Sequence, residues 1–284
     1  MSKILISGYY GFANAGDEAM LTAIIESLRQ VEKNVELTVL SGNPEDTAAK
    51  HQVCSVYRFN PLGIIRAMKD SELIISGGGS LLQDVTSKRS LLYYLSIIGL
   101  GKFFGKKVML FAQGIGPVCN EADLITVRDS ESAAELIEMG VKPEKITVTA
   151  DSVLSLNPVT KECGQYLLQE AGVDLTKPVI GISVRPWSGD SQCFQVLAEA
   201  ASKLQQSYGA QLILLPLQYS VDVKACEKLR KALVCQKDIF LLNEKYNTEE
   251  FLSIIGNFDL LIWNAAACTG FCCCNANAAA GNIL

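Results

Sequence analysis

The chain has 284 residues, 49% of them apolar and 19% charged, so its length suits two domains and its composition supplies their cores. A net charge of −5 and a pI near 5.1 exclude a general nucleic-acid binder, which needs a basic footprint for the phosphate backbone. The longest apolar stretch, residues 91–100, falls far short of the roughly 20 residues that span a bilayer.

Met1-Ser2-Lys3 leads straight into Ile4-Leu5-Ile6, a run too short for the core of a secretory leader, so it reads as a first strand and the protein is expected in the cytoplasm. Short apolar runs then alternate with amphipathic stretches, the pattern of a parallel sheet covered by helices. Strands are expected over 3–8, 35–40, 72–76, 107–112, 124–128 and 146–149, with helices over 17–30, 61–69, 87–104 and 130–139. Residues 113–123 are short for a crossover between parallel neighbours, which takes a dozen or more residues, so a helix looks to be missing near 117–121.

The strand pattern lapses over 158–177, the expected connection between an N-terminal domain (1–157) and a C-terminal one (178–284). A second alternation follows, with strands over 179–184, 211–215, 239–242 and 259–263 and helices over 190–208, 221–233 and 248–255. The fold class is therefore α/β, with two Rossmann-like domains facing across a cleft in a GT-B-like arrangement. From Asn264 to Asn282 every residue except Phe271 is small, and no amphipathic period is legible. Cys268, Cys272, Cys273 and Cys274 crowd this tail without a paired C-x-x-C spacing or a nearby histidine, so no metal site is expected. The other six cysteines are scattered singly and read as reduced thiols.

Three glycine-rich strand ends carry the candidate chemistry. GYYGFANAGDE (8–18) joins the first strand to the first helix, where glycines permit positive φ and close approach by a ligand. Asp17 and Glu18 put negative charge where a phosphate would sit, so they suit helix capping or sugar hydroxyls. The spacing also departs from the dinucleotide G-x-G-x-x-G. GGGSLLQD (77–84) and QGIGP (113–117) repeat the arrangement, and three such loops on one sheet edge point to a polar, glycine-lined ligand site. In the second half, Arg185-Pro186 follows a strand, and arginine offers a planar fork for carboxylate or phosphate. His51, the only histidine, reads as an exposed residue in a polar connection.

In this order GYYGFANAGDEAML, SGGGSLLQD, FAQGIGP, DLITVRDSES, TADSVLSL, GISVRPW and LPLQ with Asp222 resemble the polysaccharide pyruvyl transferases, especially the bacterial cell-surface (CsaB-type) members. The resemblance runs from residue 8 to about 222. It implies transfer of the enolpyruvyl group of phosphoenolpyruvate onto a sugar as a ketal, with phosphoenolpyruvate as donor substrate and no cofactor. For the cell-surface members it further implies a polyprenyl-diphosphate-linked ManNAc-GlcNAc acceptor, pyruvylated on ManNAc at O4 and O6, whose wall polymer anchors S-layer proteins. It assigns the donor to Arg185 and puts the acceptor against the first domain, where the candidate residues are Tyr9, Tyr10, Asn14, Asp17, Glu18, Gly78, Ser80, Gln83, Asp84 and Gln113, with Arg128 and Gln218 as candidate supports of the cleft.

The family's remaining donor residues lie in an Arg-Leu-His segment after a strand like 258–262. Here the chain beyond Ile262 reads Trp263-Asn264-Ala265-Ala266-Ala267, without arginine or histidine, so no catalytic acid is assigned. A lipid-linked acceptor also implies membrane contact, for which residues 91–107, apolar with Lys102, Lys106 and Lys107, are suited; a helix buried against the sheet fits the same residues. Two competing expectations are a GT-B glycosyltransferase using a nucleotide sugar and a non-catalytic glycan-binding protein.

Overall fold

The computed structural model describes residues 1–79, 88–113, 122–157, 159–185, 191–263 and 279–282. The chain forms two compact units: Met1–Phe12 with Asp17–Leu156, and Ala13–Gly16 with Asn157–Leu284. The expected α/β class holds in both.

The first unit contains β1 (Lys3–Tyr10), α1 (Ala15–Val31, of which 15 and 16 group with the second unit), β2 (Glu36–Ser41), α2 (Pro44–His51), β3 (Cys54–Tyr57), α3 (Pro61–Asp70), β4 (Leu73–Gly79), α4 (Lys88–Phe103), β5 (Lys107–Gln113), β6 (Leu124–Val127), α5 (Ser130–Glu138) and β7 (Ile146–Val148). Its seven strands pair in parallel in the order β3-β2-β1-β4-β5-β6-β7. Successive strand residues point to opposite faces, so both faces are apolar and both are covered. Leu5, Leu40, Ile74, Val108 and Leu110 pack on one face with Met68 of α3 and Tyr94, Ile97 and Ile98 of α4. Ile4, Ile6, Val39 and Ile75 pack on the other with Leu21, Ile24 and Ile25 of α1.

Helix starts are written locally. Asn43 and Asn60 cap α2 and α3 with a proline just inside each helix, and Asp129 accepts the Ser132 amide at 2.6 Å to open α5. β5 and β6 are parallel neighbours, Met109 opposite Leu124, and the place near 117–121 where a helix is expected to be missing lies outside the described residues.

The second unit contains α6 (Glu162–Glu170), β8 (Val179–Ser183), α7 (Ser191–Tyr208), β9 (Gln211–Leu214), α8 (Tyr219–Ala232), β10 (Ile239–Leu241), α9 (Thr248–Ile255), β11 (Leu260–Trp263) and β12 (Ala279–Asn282). Its parallel strands run β10-β9-β8-β11-β12. The stretch 158–177, read from sequence as connection, holds α6, which packs on α9. There the Gly164 amide donates to Ser253 Oγ at 2.6 Å, and a Cβ on Gly164 would strike the Ser253 carbonyl. A capping box of Asn247 and Glu250 starts α9. The small-residue tail is described only as the strand Ala279–Asn282, beside β11; the four tail cysteines lie outside the described residues.

Candidate functional site

In each sheet two adjacent strands send the chain off in opposite directions, and the carboxyl edge beside such a switch point is where open α/β sheets take ligands. In the first unit the switch lies between β1 and β4, with Ser7 opposite Ser76. The segments beyond are 8–12 and 77–79, the first two glycine-rich stretches of the sequence. Gly11 has φ +79, and a Cβ there would collide with Ser41 Oγ and the Asn43 amide. Gly78 has φ +68 and lies against Met20. Both positions require glycine.

Tyr10 corrects an expectation. Its side chain is 1% exposed and its hydroxyl donates to the Gly77 carbonyl at 2.9 Å, so it fastens β1 to β4 rather than facing an acceptor. Burial pushes its phenol well above the usual 10.0. Glu18 is held within the chain as well: Oε1 accepts the Gly11 amide at 2.8 Å and Oε2 lies 3.3 Å from His51 Nε2. His51, read as exposed, has a side chain only 9% exposed, because α2 carries it onto Glu18. Asn14 Oδ1 accepts the Gly16 amide at 3.1 Å, and Asp17 lies in the first turn of α1.

Tyr9 stacks on Phe12 with ring centroids 4.3 Å apart. Phe12 in turn faces Arg58, a residue that sequence reading passed over. Arg58 is 5% exposed, and its guanidinium lies 5.3 Å from Phe12, 5.2 Å from Phe59, 4.3 Å from Tyr93 and 5.5 Å from Tyr94. Its sequence signal is a cation interleaved with aromatics, Tyr57-Arg58-Phe59. Burial pushes the Tyr94 phenol up to about 12, against the opposing pull of Arg58.

Gln113 ends β5, and Arg128 follows β6 with Nη1 3.7 Å from Asp151 and Nε 3.7 Å from Asp129. Ser80, Gln83 and Asp84 lie outside the described residues. The amphipathic stretch 91–107 is largely α4: Tyr94, Ile97 and Ile98 are core, Lys102 pairs with Asp123 at 2.9 Å, and Leu92 and Phe103 are exposed.

In the second unit the switch lies between β8 and β11, with Ser183 opposite Trp263. Two residues beyond Ser183, Arg185 sits with its side chain 30% exposed and points Nε and Nη2 at the two oxygens of Asp222, each 3.3 Å away. Asp222 is fully buried, and its Oδ2 also accepts the Gln218 amide at 2.7 Å. Within the same unit, Asn14 bridges Gln218 and the Ala15 amide donates to the Leu217 carbonyl at 2.8 Å. Gln218 is thus held as a backbone element of this turn.

Ile262, the residue from which the family's Arg-Leu-His segment was counted, is not itself part of a site. It pairs with Ile182 inside the sheet and is buried in the apolar core of the second unit with Val184, Leu212 and Leu214. The strand also runs one residue past it, because Trp263 is still in register with Ser183. Pro186 and the segment after Trp263, where the Arg-Leu-His motif would stand, lie outside the described residues. Among the described residues no group of three His, Cys, Asp or Glu is placed to hold a metal, and no helix is long and apolar enough to cross a membrane.

Two doubly wound parallel sheets, each with polar residues gathered at its switch point, define an α/β fold of the GT-B-like class. Solved structures bear this out. Staphylococcus aureus MnaA in complex with UDP superposes with a TM-score of 0.65 at 14% identity over 94% of this chain and 75% of that one. The UDP-GlcNAc 2-epimerase of Methanocaldococcus jannaschii gives 0.64 at 11% identity, over 96% and 82%. Escherichia coli ADP-heptose LPS heptosyltransferase II gives 0.56 at 14%, over 99% and 84%.

No curated protein matches the sequence significantly. The family profile described as polysaccharide pyruvyl transferase matches residues 14–262, and the chain belongs to that family. It is a transferase, and the family's reaction is phosphoenolpyruvate-dependent ketal formation on a saccharide.

Proposed function

We propose that this protein moves the enolpyruvyl group of phosphoenolpyruvate onto ManNAc of a polyprenyl-diphosphate-linked ManNAc-GlcNAc wall-polymer precursor, as a 4,6-ketal that supports S-layer anchoring. The observation that carries the donor half is Arg185, a partly exposed guanidinium at the second sheet's switch point, backed by a buried carboxylate. Phosphoenolpyruvate brings a carboxylate and a phosphate, and a planar fork matches either. The acceptor is assigned to the carboxyl edge of the first sheet, at Tyr9, Asp17, Gly78 and Gln113; Asn14, Ser80, Gln83 and Asp84 belong to the same sequence motifs. Residues 1–157 then act as the acceptor domain and 178–284 as the donor domain.

In the reaction the methylene carbon of phosphoenolpyruvate is protonated, and a sugar hydroxyl attacks the resulting oxocarbenium-like centre. A second hydroxyl closes the ketal as inorganic phosphate departs. Each hydroxyl gives up one proton: one replaces the proton taken up by the methyl group, and the other leaves with phosphate. The acceptor's lipid places the enzyme at the inner face of the cell membrane, with residues 91–107 as the contact with anionic lipid.

The test is turnover by the purified protein with phosphoenolpyruvate and a synthetic lipid-diphosphate-linked ManNAc-GlcNAc, read as phosphate release and a mass gain of one pyruvyl ketal. Release of UDP from UDP-sugars instead would establish a nucleotide-sugar glycosyltransferase, a reading that the UDP complex among the similar structures favours. Glycan binding without phosphate release would leave a non-catalytic glycan-binding protein.

A further inference from the structure

Asp222 lies on α8, 37 residues after Arg185, yet its two oxygens accept from Nε and Nη2 of the Arg185 fork. Its side chain is fully buried, so the carboxylate has left water entirely and depends on its partners. Those partners are uneven. The Gln218 amide is held at 2.7 Å, whereas Nε and Nη2 of Arg185 stand at 3.3 Å, longer than the about 2.7–2.9 Å of an exclusive charge-assisted pair. Asp222 is thus locked to the β9–α8 turn first and steers the guanidinium second. The same turn holds Asn14 through Gln218 and the Ala15 amide through Leu217.

We infer that Asp222 is a positioning residue that fixes the Arg185 fork for the donor anion and ties its orientation to the segment Asn14–Ala15 of the glycine-rich loop. The inference rests on the reading that Arg185 takes the donor. A second anion arriving at Arg185 competes with Asp222 for the same cation. Any shift of the carboxylate is felt at the Gln218 amide, and through that turn at the Ala15 amide. Asp222 is fully buried, so it touches neither donor nor acceptor.

The experiment compares Asp222→Asn, Asp222→Glu, Arg185→Gln and the Asp222→Asn/Arg185→Gln double variant, measuring KM separately for phosphoenolpyruvate and acceptor. Asp222→Asn is expected to raise the phosphoenolpyruvate KM about tenfold with acceptor KM within about twofold, partly rescued in Asp222→Glu. It should add nothing further in the Arg185→Gln background. An unchanged donor KM in Asp222→Asn alongside a raised one in Arg185→Gln overturns the positioning role and leaves the donor reading standing. No effect of Arg185→Gln on that KM overturns the donor reading itself. Should Asp222→Asn not fold, hydrogen exchange on the unaltered protein decides. Saturating phosphoenolpyruvate is expected to change exchange at the Ala15 and Gln218 amides, and no change at either defeats the tie to the loop.

Discussion

Glu18 and His51, 33 residues apart, meet at 3.3 Å beneath the glycine-rich loop, while the second Glu18 oxygen holds the Gly11 amide. The carboxylate thereby satisfies a part-buried loop N–H. Replacing Glu18 with alanine is expected to cost about 1 kcal/mol, the loss of a part-buried hydrogen bond to the Gly11 amide, whereas glutamine keeps an acceptor for Gly11 and costs less. Urea denaturation of the two variants checks the order.

The loop backbone offers an opposing pair of substitutions. Gly11 and Ala13 both occupy left-handed conformations, with φ +79 and +53. Gly11→Ala adds a Cβ against Ser41 and Asn43 and is expected to destabilise by about 1–3 kcal/mol. Ala13→Gly removes a strained Cβ and is expected to be neutral or stabilising by up to about 1 kcal/mol, unlike an ordinary alanine-to-glycine change. A thermal melt that moves in the same direction for both would contradict this account.

Arg58 is a buried cation whose Nε has no hydrogen-bond partner and which forms no salt bridge among the described residues; aromatic faces surround it instead. Cation–π contacts of roughly 2 kcal/mol when desolvated offset part of its burial cost. Arg58→Met fills similar space without a charge and is expected to stay within about 1.5 kcal/mol of the parent. Arg58→Ala hollows the cage and should cost about 3 kcal/mol or more. Equal losses in both, measured by chemical unfolding, would show that charge rather than volume holds the cage.

Stability should fall at alkaline pH. Burial pushes the Cys226 thiol up from 9.0 to about 12 and raises the phenols of Tyr94 and Tyr10 above 10.0. Each folded-state pKa is raised, so the contribution is intact below the unfolded value and is lost as pH climbs from there towards the folded one. The decline therefore begins near pH 9, with a slope of up to about 1.4 kcal/mol per pH unit for each group. Cys226→Ala should move the onset to about pH 10; denaturant midpoints between pH 8 and 11 give the comparison.

The fully buried strands were legible because parallel strands covered on both faces read as continuous apolar runs, as in Val179–Ser183. α2 and β3 were not. PEDTAAKH buries only Thr47, and CSVY is an edge strand with no fully buried residue, so neither shows an apolar period. α6 was read as connection because Gly164 interrupts it, and the need for that glycine lies on α9. The site divides the same way. Glycine-rich strand ends and Arg185 announce themselves locally, whereas Asp222 under Arg185 and Glu18 against His51 are pairings made by topology. Strand order, which creates the switch points, is written in no single segment.

The α6–α9 packing sets a timetable for synthesis. All seven strands of the first sheet are complete once Val148 has been made. Gly164 must then wait for Ser253, 89 residues later, and β8 for β11. At roughly 5–20 residues per second that interval is on the order of 5–20 s. Asn14 and Ala15, among the earliest residues made, wait through much of it for Leu217 and Gln218. The loop that bears the family's opening motif thus reaches its final hydrogen bonds only after most of the chain has left the ribosome.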